Sequence, residues 1–336
     1  MSRSMRQALM PRAGPAVVGA AAFVLYRMWA TDDLGPPPRT AATSDGLQAV
    51  VVGATGATGR QLVRRLIEAD RWASVTAVVR RTPAPGELFD GDIPPPKLRI
   101  HIVPALDAPD EADAIVENWR GAHCLFNTLG TTRATAGSAA LFKRVEVDLS
   151  AHAASLAQRA GIPCASVVSA SGANPHAWTD PWEVIHPLLY MQTMGRKEQA
   201  MQESVSRMAP DDEKNIEGSK GRVAAVRAAS PPPFAQLSIF RPGMLNRLSG
   251  DRTWENVFNR LGLGLRVDAL ASAMELDGAA MAAAVLSKPV AIQAGRSLFS
   301  RAAPSPHSPK KVQVSPVVYE GNAQIVHWAE AASWRA

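Results

Sequence analysis

The sequence predicts an α/β protein: a doubly wound parallel sheet of the Rossmann type, with an N-terminal targeting or anchor segment. Three observations carry this. Strand-like apolar runs alternate with amphipathic helical runs from Leu47 onward, and glycines recur at Gly53, Gly56 and Gly59 between the first strand and the first helix. Arg80 and Arg81 then close the second strand about twenty residues beyond that turn. Alternation of this kind implies a parallel sheet with helices on both faces, because each crossover must return the chain in the same direction.

The organising stretch begins at Val50 and reads VVVGATGATGRQLVRR. Gln48 to Val52 is the first strand, and Arg60 to Ala69 the first helix, with Leu62, Val63, Leu66 and Ile67 on one face. Gly53 permits the tight turn, Gly56 lets backbone approach a pyrophosphate, and Gly59 lets the helix pack close to the sheet. The helix-start amides then face the phosphates. Gly53, Thr55, Gly56, Ala57, Thr58, Gly59 and Arg60 are therefore the candidate cofactor contacts of the turn. A plain glycine-rich turn is the competing reading, and the strand–turn–helix context decides against it.

Ser74 to Arg80 is the second strand, Leu98 to Val103 the third and Ala112 to Trp119 a helix. Cys124 to Thr128 is the fourth strand. Phe142, Val145, Leu149, Ala153, Leu156 and Ala160 recur at helical spacing, which predicts one long helix over Ser138 to Ala160, ended by Gly161. Pro163 to Ser169 is the fifth strand, Tyr190 opens a helix running through Gln199, and Gln236 to Phe240 is the sixth strand.

Flanking and interrupting stretches set the domain plan. Residues 1–30 carry arginines, no acid, and an apolar run from Gly14 to Tyr26 that falls short of the roughly 20 residues a membrane-crossing helix needs. An organellar targeting segment or a short membrane anchor over residues 13–30 is the expectation; a secretory signal is disfavoured because no disulfide framework follows. Residues 31–45 are a Pro/Ser/Thr-rich linker, and residues 46–300 form the NAD(P)-binding domain. Ala209 to Pro233 is a disordered insertion within that domain, residues 301–316 a second linker, and residues 317–336 a C-terminal segment packing on the domain.

Composition narrows the classes. The net charge of +6 is half accounted for by the first forty residues, and no Lys/Arg stripe with interleaved aromatics argues for nucleic acid. Cys124 and Cys164 fall in buried strands and read as reduced thiols. His176 and His186 have no ligand partners at metal spacing. Location is expected to be organellar, with the cytoplasm as the alternative.

Chemistry concentrates at the strands' carboxyl ends, where open parallel sheets bind ligands. Arg80 and Arg81 replace the acid that would hold the ribose hydroxyls of NAD and so favour NADP, the alternative being a solvated strand end. Leu129, Gly130 and Thr131, in the loop after the fourth strand, are expected to cover the cofactor. Ser169, Ser171 and Tyr190 follow the fifth strand, and tyrosine is scarce, with three in the chain. Trp254, Phe258, Met274 and Met281 are expected to form apolar walls of a substrate pocket.

GATGATG, the Arg80–Arg81 pair, LGTTR from Leu129, FKRVEVD from Phe142, LLYMQTMGRKE from Leu188 and FRPGML from Phe240 occur in an order that resembles the Tat-interacting-protein-like oxidoreductases. These are atypical short-chain dehydrogenases/reductases that include fungal mitochondrial outer-membrane relatives, and the resemblance covers residues 47–290. It implies an NADPH-binding Rossmann fold with a small C-terminal substrate region, Tyr190 as the catalytic acid, Ser169 as the residue orienting a substrate carbonyl, and, since the leader fits those relatives, a mitochondrial location at the outer membrane. One departure stands against it: the family pattern has lysine four residues after the tyrosine, and this chain has Met194. Such a lysine holds the nicotinamide ribose and lowers the tyrosine pKa by its charge. Lys197 lies on the same helix face but about 10 Å further along. Two functions follow: an NADPH-dependent reductase of an unidentified carbonyl substrate, or a cofactor-binding regulatory or scaffold protein that docks a protein partner. Met194 is the feature that separates them.

Overall fold

The computed structural model describes residues 46–91, 93–179, 186–203, 234–243, 245–246, 265–287, 316–320 and 325–326. The expected leader (1–30), both linkers apart from Pro316, and the 209–233 insertion lie outside the described residues, as do Trp254 and Phe258. A parallel sheet forms from β1 (Leu47–Val52), β2 (Trp72–Val79), β3 (Leu98–Ile102), β4 (Cys124–Asn127), β5 (Cys164–Val168), β6 (Gln236–Arg241) and β9 (Val317–Glu320). Strand order is β3-β2-β1-β4-β5-β6-β9, and every neighbouring pair is parallel. The order reverses between β1 and β4, so a crevice opens there at the strands' carboxyl ends. The seventh strand, β9, was not expected from the sequence. A separate parallel pair joins β7 (Leu245–Asn246) to β8 (Leu265–Arg266).

The inner strands β1 and β4 are apolar on both faces because helices cover both, whereas edge strand β3 alternates Leu98, Ile100 and Ile102 with Arg99 and His101. In β1, Ala49 and Val51 enter one core with Leu62 and Leu66 of α1 (Ala57–Glu68), whereas Val50 and Val52 enter the other with Ile115 and Trp119 of α2 (Ala112–Trp119). β4 splits the same way, Cys124 and Phe126 against Leu125. Period-two alternation thus feeds two cores from one unbroken hydrophobic run. Cys124 and Cys164 are register partners on adjacent strands, and both are buried.

Four expectations are corrected. The first helix begins at Ala57 and not Arg60, which puts Gly59 inside its first turn. The long helix over Ser138 to Ala160 is instead α4 (Ala139–Lys143), a widened π turn (Arg144–Asp148) and α5 (Leu149–Arg159), preceded by the short α3 (Arg133–Ala136). The tyrosine helix, α6, starts at His186 and runs to Glu203, so Tyr190 sits in its second turn. Met274 and Met281 belong to α7 (Val267–Leu286) and are fully buried in the core beside α1, and neither lines the cavity beside the β1–α1 turn. Although α7 is long and apolar enough to cross a membrane, it is packed against the sheet here.

Candidate active site at the carboxyl end of the sheet

The β1–α1 turn is held closed by its own backbone and by β4. Gly56 N donates to Gly53 O at 2.9 Å, and Thr128 Oγ1 donates to Val52 O at 2.9 Å with Gly53 O at 3.2 Å. Gly53 has φ +82°, and a Cβ there would lie 2.8 Å from the Thr128 and Leu129 backbone, so only glycine permits both the turn and the close approach of the β4 loop. A Cβ on Gly59 would collide with Gly53 O. Gly56 is exposed and caps α1 without a side-chain hydrogen bond, and the first turn carries no acid. The helix-start amides of Ala57, Thr58 and Gly59 therefore keep their donors and their partial positive charge for an anion. A dinucleotide's diphosphate fits this opening: among the described residues no side chain fills it. Thr55 and Arg60 flank it, both partly buried.

A cavity of about 220 Å³ opens beside this turn. Gly56, Ala57 and Thr58 form one wall; Leu129, Gly130 and Thr131 another; Ser169, Tyr190, Met194 and Lys197 close the far side with Leu245. The structure thus brings Ser169 and Tyr190 to one cavity with the turn and the β4 loop. Tyr190 stacks on Phe142, with ring centroids 6.1 Å apart. Its helix is drawn onto the segment after β5 by Asn174 N donating to Met191 O (3.0 Å) and Gln192 Nε2 donating to Ala177 O (2.8 Å). A Cβ on Gly195 would collide with that segment's Asn174 and Pro175 backbone, so α6 can lie this close only with glycine there.

Arg80 and Arg81 are both exposed at the end of β2 and do not line the cavity. Arg81 donates to Thr82 O at 3.1 Å and pairs with Glu87 at 3.3 Å, an acid the sequence reading had not placed beside the arginines. Arg80 makes no hydrogen bond or ion pair among the described residues, so of the two it is the guanidinium left open to an external anion.

Four charged side chains meet at the site: Glu198, Arg241 and Glu146 were given no role by the sequence, and Lys197 was weighed only as a distant stand-in for the lysine missing at position 194. Glu198 sits 2.5 Å from Ser169 Oγ and accepts Arg241 Nε (2.8 Å) and Nη2 (2.6 Å). Arg241 Nη1 continues to Glu320 on β9 at 3.2 Å. Glu198 raises the Arg241 pKa through these hydrogen bonds, outweighing the lowering by burial. A carboxylate clamped by a guanidinium only accepts, so the single Ser169 proton points at Glu198 and its lone pairs remain for a ligand. Lys197 and Glu146 form the second pair, with the Lys197 ammonium 3.1 Å from Glu146 Oε2. All four residues lie inside FKRVEVD, LLYMQTMGRKE or FRPGML, and those motifs were the signal that could have found them. Met194, 2% exposed, packs with Phe142 and Leu189 one turn from Tyr190.

Residues 53–207 match the protein family described as NAD(P)H-binding. The Debaryomyces hansenii protein named "Protein FMP52, mitochondrial" is 29% identical over 152 residues, covering 45% of this chain and 58% of that protein. The Coccidioides immitis protein of the same name is 33% identical over 129 residues, covering 37% and 51%. The chain thus spans a little over half the length of the curated relatives it matches. Among solved structures, MoeE5 in complex with UDP-glucose and NAD gives a TM-score of 0.44 at 15% identity, over 69% of this chain and 72% of that one.

Proposed function

We propose that the chain is an NADP(H)-dependent oxidoreductase of the atypical short-chain dehydrogenase/reductase type, related to the Tat-interacting-protein-like oxidoreductases and reducing a carbonyl. One observation carries the reading: the uncapped start of α1, the β4 loop, Ser169 and Tyr190 meet at one cavity. The α1 amides and Arg60 would hold the diphosphate and Arg80 a ribose 2′-phosphate. When bound, the dinucleotide supplies hydride to the carbonyl carbon. Tyr190 donates the proton to the carbonyl oxygen; Ser169, its proton held by Glu198, would accept from a donor on the substrate and does not hydrogen-bond that oxygen, unlike the role the resemblance implies. The cavity is smaller than the roughly 300–1,000 Å³ of a pocket for a drug-sized ligand, so the dinucleotide would run beyond it toward β2.

A second reading is favoured by a specific observation. Met194 is buried one turn from Tyr190, and the Lys197 charge is taken up by Glu146, so neither supplies Tyr190 with a cation. Without the lysine that the resemblance implies at position 194, proton transfer from Tyr190 is slowed, and a cofactor-binding regulatory protein with weak or lost turnover follows. Stereospecifically deuterated NADPH, offered with a panel of aldehydes and quinones, separates the two. Deuterium in a product supports the reductase; binding without transfer supports the regulatory protein; absence of NADPH binding refutes both. The names of the fungal relatives and the arginine-rich leader support a mitochondrial location, with residues 13–30 as the membrane contact. Deleting residues 1–30 should release the protein from membranes, and unchanged association would refute the anchor.

A further inference from the structure

We propose that Glu146 and Lys197 are a positioning pair that fixes the Leu129–Thr131 backbone in the shape that receives the nicotinamide end of the dinucleotide. This rests on the dinucleotide-binding reading above. The two side chains are 4% and 1% exposed and lie 51 residues apart in sequence. A buried ion pair is weak ground for stability, since well-packed apolar residues of similar volume often serve as well or better. What the pair does instead is grip a loop. Lys197 Nζ donates to Leu129 O at 2.6 Å, and Thr131 N donates to Glu146 Oε1 at 2.7 Å. The two halves of one ion pair thus hold two backbone groups on either side of Gly130, the residue with most freedom to move.

Three elements are brought together to do this. The widened π turn carries Glu146, α6 carries Lys197, and the loop leaves β4 without regular structure from Thr128 to Thr132. Within the π turn, Glu146 is buried while Arg144 and Asp148 are exposed. The sheet order β2-β1-β4-β5 sets this loop on the opposite side of the α1 start from Arg80. It therefore faces the half of a dinucleotide that the 2′-phosphate does not occupy. Because the ammonium and the carboxylate neutralise each other in the wall, the pair positions backbone and adds no net charge to the cavity.

The test uses the full chain carrying Glu146→Met with Lys197→Met, which removes both charges at similar volume. Equilibrium binding of NADPH and of 2′,5′-ADP is measured with thermal unfolding and with hydrogen exchange over residues 129–131. The expected result is an unlowered Tm, faster exchange at Thr131, unchanged 2′,5′-ADP affinity and NADPH affinity weaker by roughly tenfold or more. Wild-type exchange and wild-type NADPH affinity in the double variant would overturn the positioning role alone. Failure of the wild-type chain to bind either ligand would overturn the dinucleotide reading and this inference with it. Should the double variant not fold, Glu146→Gln is read in the same way: a selective loss of NADPH over 2′,5′-ADP supports the pair, and equal or no loss overturns it.

Discussion

Gly59→Ala tests the joint between α1 and the β1 turn. In an unconstrained helix this change stabilises by about 1 kcal/mol, since alanine is the better helix former. Here the new methyl would collide with Gly53 O and lie 2.8 Å from Thr128 Oγ1 and 2.9 Å from Ala54 Cα. Those neighbours cannot retreat freely, because Gly53 O and Val52 O are both bound by Thr128. Overpacking of this kind costs about 1–3 kcal/mol, and releasing the Thr128 hydrogen bond about 1 kcal/mol more. The net expectation is a loss of about 1–3 kcal/mol. The start of α1 also moves off the diphosphate, and losing one charge-assisted hydrogen bond there weakens NADPH roughly ten- to a hundredfold. Urea unfolding and NADPH fluorescence titration read the two effects, with Arg65→Ala, an exposed site on the same helix, as the control for helix propensity. A Gly59→Ala chain as stable as wild type or more so, with unchanged NADPH affinity, would refute the wedged joint.

Met194→Lys should raise deuteride transfer by about 10²–10⁴-fold and move the pH profile toward lower pH, since a cation one turn away lowers the Tyr190 pKa. A flat response, with folding confirmed by Tm, counts against Tyr190 as the proton donor. Arg80→Ala should weaken NADPH by roughly tenfold or more and leave NADH unchanged, whereas Arg81→Ala should do less because Arg81 is occupied by Glu87. Equal losses for both nucleotides would show that Arg80 reads no 2′-phosphate. Burial lowers the pKa of His101, His123 and His152 below the ordinary 6.5, and His123 Nδ1 accepts Gln48 N–H at 3.1 Å. The unfolded chain therefore takes up protons first, so the stability these residues contribute is present above pH 6.5 and is lost as pH falls through their folded values. The urea midpoint should decline between about pH 7.5 and about pH 5.5, less steeply in His123→Gln; an identical slope in that variant would remove His123 from the account.

The parallel sheet was legible because its inner strands are apolar on both faces, and the cradle because Gly53, Gly56 and Gly59 each answer a local steric demand. The misreadings share a physical origin. Ala57, Thr58 and Gly59 look like turn residues, yet the chain is already helical there and Gly59 is needed for contact with Gly53 rather than for a bend. α7 is buried nearly all round, so it has no periodic face to show which side meets the core, and Met274 and Met281 passed for pocket walls. A π turn needs no diagnostic residue, so the burial of Glu146 could not be read from spacing. Lys197 could be read only against Tyr190 on its own helix, and Glu198 not at all, because their partners, Glu146 and Arg241, are 51 and 43 residues away. Spacing within one helix could report that lysine is missing at position 194. It could not report that Glu198 holds the Ser169 proton or that Glu146 neutralises Lys197, and those two distant pairings decide which protons and charges the cavity offers a ligand.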